Sequence, residues 1–333
     1  MYRSILLILI IVISLLLDSC LPKCDDYIEG SLPEIAVNLE EFNSEYDDYN
    51  STAVPQGAFI PFCFSTNRNS EGDNFDIVYE PMSIGLDEIT EEITVLNNDD
   101  NWESYNEEFM VVQNALDQIN SDGDELGPYF LLNQNSFFTD YYFLFMYASD
   151  EGGDFQISFT YNTISDEDFV ESHEIEFLNS PYDDLYPIFN MYYTKMFFCS
   201  NRDDDIFNIY SADIIRDIEQ LLTELTDPEE REITLNETLS SDYNDKCPYI
   251  YGRLMVFASD RPGGEGGYDL YYSINSNEQW SEPVNFGPDI NSPYDEYRPI
   301  LINDAIDYYK DMMVFSSNRP GGKGGFDLYY VGI

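Results

Sequence analysis

Positive charge is what this sequence has least of. Its 333 residues hold 14 Lys and Arg against 65 Asp and Glu, a formal net charge of −51. Nucleic-acid binding needs Lys and Arg to neutralise phosphates and release counterions. The few available are scattered, so that class is excluded, and the same shortage argues against direct docking on anionic lipid heads. Histidine is nearly absent: His173 stands alone, with no nucleophile elbow near it, which disfavours a Ser–His–acid site. The five cysteines include no Cys-x-x-Cys pair, so a zinc set is not expected. Cys63 and Cys199 sit inside apolar runs and read as small buried hydrophobes. No long stretch shows the apolar spacing of an amphipathic helix. Aromatics, in contrast, are abundant, with 28 Tyr and 23 Phe. They favour strands, and the expectation is an all-β chain.

Ile5 to Leu17 is almost continuously apolar behind Arg3. The run is too short to span a bilayer comfortably and has the length of a signal-peptide core. It ends in Leu17-Asp18-Ser19-Cys20, which resembles a bacterial lipobox, with Asp18 departing from the usual small residue. The resemblance implies a signal peptide over 1–19, lipidation at Cys20, and a polar tether over 20–34. The chain is then expected in the cell envelope, attached to the outer membrane through a lipid anchor only.

The rest of the chain is repetitive. VFASDRPGGEGGYDLYY (256–272) returns as VFSSNRPGGKGGFDLYY (314–330), and weaker copies lie at 62–79, 143–159 and 196–210. A second motif precedes each copy: INSPYDEYRP (290–299), LNSPYDDLYP (178–187), INSDGDELGP (119–128), LSSDYNDKCP (239–248) and FNSEYDDYNS (42–51). Each unit reads as an acidic turn, an inner strand, a second strand ending in Ser-x-Arg, a Gly-rich hairpin, a third strand and a variable fourth. Four antiparallel strands make one propeller blade. Five units predict a five-bladed β-propeller over 35–333, with an insertion at 85–118. The last unit lacks its fourth strand, while Ile35-Ala36-Val37-Asn38-Leu39 precedes the first acidic turn. That N-terminal strand is expected to complete the last blade and remove a free sheet edge.

The Ser-Asn-Arg-Pro-Gly-Gly and Asn-Ser-Pro-Tyr-Asp-Glu runs resemble the WD40-like repeats of TolB-type propellers of the Gram-negative envelope. The resemblance implies a protein-interaction module. Within the repeats, Arg68 and Asp76, Arg261 and Asp269, and Arg319 and Asp327 lie eight residues apart across the hairpin, with Arg202 and Asn208 as the shortened version. An Arg–carboxylate pair there would pin the turn. These residues read as structural. Asp203-Asp204-Asp205 and Asp122-Gly123-Asp124-Glu125 are candidate Ca²⁺ oxygens without EF-hand spacing, and no other cofactor is implied. The leading expectation is a non-enzymatic propeller scaffold that binds an envelope protein or a glycan. The alternative is a glycan-active hydrolase with paired carboxylates in the propeller funnel.

Overall fold

The computed structural model describes residues 30–53, 59–87, 89–97, 106–134, 141–162, 168–203, 205–214, 220–302 and 311–333. Cys20, Cys24 and the segment read as a signal peptide lie outside them.

Strand β1 (Val37–Asn38) opens the chain and is set aside until the ring closes. Blade one contains β2 (Asp48–Ala53), β3 (Phe59–Thr66), β4 (Asp76–Leu86) and β5 (Ile93–Asn97). Blade two contains β6 (Glu125–Gln134), β7 (Tyr141–Ser149), β8 (Gln156–Tyr161) and β9 (His173–Glu174). Blade three contains β10 (Asp184–Phe189), β11 (Lys195–Ser200), β12 (Asn208–Asp213) and β13 (Ile233–Leu235). In blade four, β14 (Asp245–Tyr251), β15 (Leu254–Ser259) and β16 (Asp269–Ser276) are edged by two short strands, β17 (Gln279–Trp280) and β18 (Val284–Asn285). Blade five contains β19 (Glu296–Ile302), β20 (Met312–Ser317) and β21 (Asp327–Gly332). Its fourth strand is β1, antiparallel to β21 with Val37 opposite Tyr330. The all-β propeller and its closure by an N-terminal strand are as the repeats predict.

The inner strands β2, β6, β10, β14 and β19 each contact the next, and β19 contacts β2, which closes the circle. Neighbouring blades cover both faces of the sheets between them. A strand buried on both faces needs apolar residues at successive positions rather than alternate ones. Hence β20, MMVFSS, is buried at every residue.

Two departures from expectation lie between blades one and two. The region read as an insertion at 85–118 contains β5, blade one's own edge strand. It also contains helix α1 (Asn106–Ile119). Val112, Ala115, Leu116 and Ile119 follow the i, i+3, i+4, i+7 spacing of one helical face. That face is buried against Ile77 and Tyr79 of blade one and Phe130, Phe143 and Phe145 of blade two. A second helix, α2 (Leu221–Leu225), lies between β12 and β13. At the other end of the ring, residues read as tether are fastened to it. Ser31 N donates to the Glu91 carbonyl, and Gly332 N donates to that of Pro33.

Each inner strand also carries a bulge. Two residues there oppose one on the neighbouring strand, and the first has a positive φ: Asn50, Gly127, Tyr186, Cys247 and Arg298, at 58°, 61°, 59°, 57° and 45°. In four blades a proline follows, which has no N–H to leave unpaired in the broken ladder.

Candidate functional site

The residues that define the repeat are taken up in holding the ring together. The acid opening each inner strand is fully buried: Asp48, Glu125, Asp184, Asp245 and Glu296. Four of them are paired with the repeat arginine. Nη2 of Arg68, Arg202 and Arg261 donates to Oδ1 of Asp48, Asp184 and Asp245 at 2.7, 2.5 and 2.5 Å, and that of Arg319 to Oε1 of Glu296 at 2.8 Å. The same nitrogens donate to the carbonyls of Phe42, Leu178, Leu239 and Ile290. Arg261 also stacks on Phe257 and Tyr271, and Arg319 on Phe315 and Tyr329.

These are not the partners expected from the eight-residue spacing. Asp269 accepts from the backbone N–H groups of Glu265 and Gly266 instead, and Asp327 from those of Lys323 and Gly324. Asp76 accepts from Asn69 Nδ2, and Asn208 Nδ2 donates to the Ile206 carbonyl. The hairpin acids are thus satisfied locally by N–H groups. The guanidinium turns instead to the acid that opens the inner strand. Blade two has Glu151 in place of the arginine. There Glu125 accepts, among the described residues, from Ser121 and Ser149 alone, and burial raises its pKa.

The acidic turn also fastens each blade to the one before it. Asn43 Oδ1 accepts from Leu328 N and its Nδ2 donates to the Leu328 carbonyl. Asn120 grips Ile77, Asn179 grips Ile157 and Asn291 grips Leu270 in the same way. Asp47, Asp124, Asp183 and Asp295 accept from the N–H of Phe326, Phe75, Phe155 and Tyr268. The hairpin glycines permit this approach. A Cβ on Gly266 would lie 2.0 Å from the Tyr294 carbonyl oxygen of the next blade's turn, and one on Gly324 would lie 1.7 Å from that of Tyr46.

The central channel is lined by the inner strands. Tyr49, Leu126, Leu185, Tyr186, Cys247 and Tyr297, one or two from each inner strand, form one cluster across it. None of the five bulge residues is a carboxylate.

Open space lies at the other end of the strands, between blades three and four. A cleft of about 1140 Å³ is bounded by the β10–β11, β14–β15 and β16–β17 hairpins. Aromatic surface comes from Trp280, packed edge-to-face on Phe197 at 5.9 Å, and from exposed Tyr192. Amides come from Asn190, Asn236, Asn275 and Asn277, and carboxylates from Asp213 and Glu278. Lys195 Nζ lies 2.7 Å from Asp213 Oδ1. Arg253 is fixed by bonds to the Asn275 carbonyl and Ser276 Oγ, both 2.7 Å. Asn277 and Glu278, at φ 54° and 65°, form the two-residue loop that presents the glutamate. Apart from Phe197, none of these residues belongs to a repeat motif, and sequence reasoning did not single them out.

Among the described residues no three His, Cys, Asp or Glu side chains converge as a metal site. Asp203 accepts from the Tyr210 hydroxyl, and Asp124 and Glu125 belong to the turn bonds; Asp204 is outside the described residues. His173 sits on the short edge strand β9, against Phe159. Cys63, Cys199 and Cys247 are free and buried.

No family model matches the sequence, and no curated protein matches it. Solved structures do match. The alpha-L-arabinofuranosidase PaAbf62A from Podospora anserina, in complex with cellotriose, gives a TM-score of 0.50 at 9% identity, over 92% of this chain and 97% of that one. The protein BT0996, solved as an RGII complex, gives 0.51 at 8% identity, over 91% of both proteins. Zg3597, a family 117 glycoside hydrolase of the marine bacterium Zobellia galactanivorans, gives 0.49 at 11%, over 92% and 91%. At such identity the likeness is one of fold. It corrects the family expectation, because PaAbf62A, which matches over nearly the whole of both proteins, is an arabinofuranosidase and not a TolB-type or WD40-like envelope lipoprotein. The runs that carried that resemblance are the bonds between blades, and they report how the ring is fastened, not what it does. The expectation of a non-enzymatic, protein-binding scaffold, which rested on that family, is corrected with it, since the protein matched over the full chain is named as an arabinofuranosidase. The chain is a five-bladed β-propeller, a fold it shares with PaAbf62A and BT0996.

Proposed function

We propose that the protein is a glycan-active hydrolase whose reaction site is the cleft between blades three and four. One observation carries this reading: two carboxylates, Asp213 and Glu278, line the same cleft as the aromatic faces of Trp280 and Tyr192. Glycoside hydrolysis uses two carboxyl groups on either side of the scissile bond, one giving a proton and the other acting as base or nucleophile. Asp213, whose Oδ1 lies beside Lys195 Nζ, is assigned the part of base or nucleophile. Glu278, at the tip of its hairpin, suits the proton donor. Aromatic surface accepts the C–H face of a sugar, and the asparagine amides match its hydroxyls. The fold's likeness to PaAbf62A, named as an arabinofuranosidase, agrees with this class of substrate. The reading of residues 1–19 as an export signal places the reaction outside the cytoplasm as part of the same proposal.

The test is sugar release from a panel of aryl glycosides and neutral polysaccharides. Asp213→Asn and Glu278→Gln are each expected to lower kcat/KM by about 10³ with Tm unchanged. A wild-type protein that cleaves nothing in the panel, or variants as active as the wild type, would overturn the proposal.

A further inference from the structure

At the centre of the ring lies a cation that meets no anion among the described residues. Arg298, the bulge residue of β19, is fully buried. Its φ of 45° places it in the left-handed region directly before Pro299, a backbone placement that costs energy and aims the side chain across the channel. Nη2 reaches from blade five to blade two, where it donates to the Pro128 carbonyl at 2.9 Å. The guanidinium carbon lies 5.2 Å from the centre of the Tyr186 ring. That ring fills the space beside Gly127, where a Cβ would lie 2.4 Å from Tyr186 Cδ1.

Nε and Nη1 of Arg298 have no hydrogen-bond partner among the described residues. The repeat arginines Arg68, Arg202, Arg261 and Arg319 all hold a carboxylate. Arg298 holds none among the described residues; the groups that act on it electrostatically are Cys247, Tyr186, Tyr249 and Cys199. Burial pushes Cys247 up to about 11 and Tyr249 up to about 12, so both are neutral at ordinary pH. A guanidinium keeps its charge. An unpaired charge out of water is costly, and water alone does not neutralise it.

We propose that the centre of the ring binds a small monovalent inorganic anion, of the size and charge of chloride, on Nε and Nη1 of Arg298. One guanidinium balances one negative charge, and its complete burial excludes a bulky ligand. The inference is independent of the hydrolase reading, because the cleft and the channel share none of these residues.

The experiment is thermal unfolding of the full chain at constant ionic strength, with gluconate replaced stepwise by chloride. Tm is expected to rise and saturate, by about 5 °C at roughly a hundredfold excess over Kd. Arg298→Met is expected to lose this dependence and to equal or exceed the wild type in chloride-free buffer. A wild type indifferent to the exchange overturns the proposal, as does a shift produced by acetate while chloride is silent. Should Arg298→Met fail to fold, chloride-35 NMR of the wild type decides. Excess line broadening displaced by bromide supports the site, and a line no broader than in buffer overturns it.

Discussion

The two ends of the propeller's strands are built under opposite rules. At the end where the inner strands begin, the same bonds recur from blade to blade: an asparagine gripping the previous blade, an aspartate capping its aromatic N–H, and a buried acid held by arginine. At the other end the hairpins share no motif, and the β10–β11, β14–β15 and β16–β17 connections enclose a cleft. Repetition marks the end that closes the ring. Variation marks the end free to acquire chemistry, as expected when loops carry function on a rigid frame.

Substitutions can break this division. The largest effect is expected from Asp245→Ala, which leaves Arg261 without its partner. Removing one member of a buried pair costs about 4 kcal/mol, read as a lowered midpoint in urea, with kcat/KM of the surviving folded protein unchanged. Asn291→Ala removes both bonds to Leu270 and is expected to cost about 2 kcal/mol by the same measurement. At the cleft end the pattern should invert. Trp280→Ala is expected to raise KM about tenfold, equivalent to about 1.4 kcal/mol, with the urea midpoint barely moved. A Trp280 variant that unfolds the protein while leaving KM intact would erase the distinction between the ends.

The smallest effect sharpens the comparison within the repeated end. Burial raises the pKa of Glu125, which has no arginine. Its folded state therefore holds a proton more tightly than the unfolded chain does. Stability from this group is present at low pH and is lost as pH rises from the ordinary glutamate range through the raised value. Glu125→Gln keeps an acceptor for Ser121 and Ser149 and removes that loss. Urea midpoints measured across this pH range should fall less steeply in the variant than in the wild type.

The sequence carried the ring well and the cleft hardly at all. Blade number and closure by Val37–Asn38 were legible because the fastening residues must recur wherever two blades meet. The arginine partners were misread because Arg and Asp stand eight residues apart on either side of the hairpin, which suggested a bond across it; blade two has Glu151 in place of the arginine. The buried acid of that blade, Glu125, stays put and hides its connection to the missing arginine. Helix α1 was overlooked although Val112, Ala115, Leu116 and Ile119 have the spacing of a helical face. The cleft depends on which hairpins of adjacent blades stand together. No local pattern in the chain encodes that adjacency.

The closing seam has a consequence for how the molecule assembles. Asn43 grips Leu328 across 285 positions of chain, whereas the other seams join residues much nearer in sequence. Bringing such distant segments together is entropically the slowest kind of step, and nothing rewards it until the partner surface exists. Blade five is therefore expected to form last. Until it does, the four earlier blades stand as an open arc with β2 and the outer face of blade four exposed to solvent.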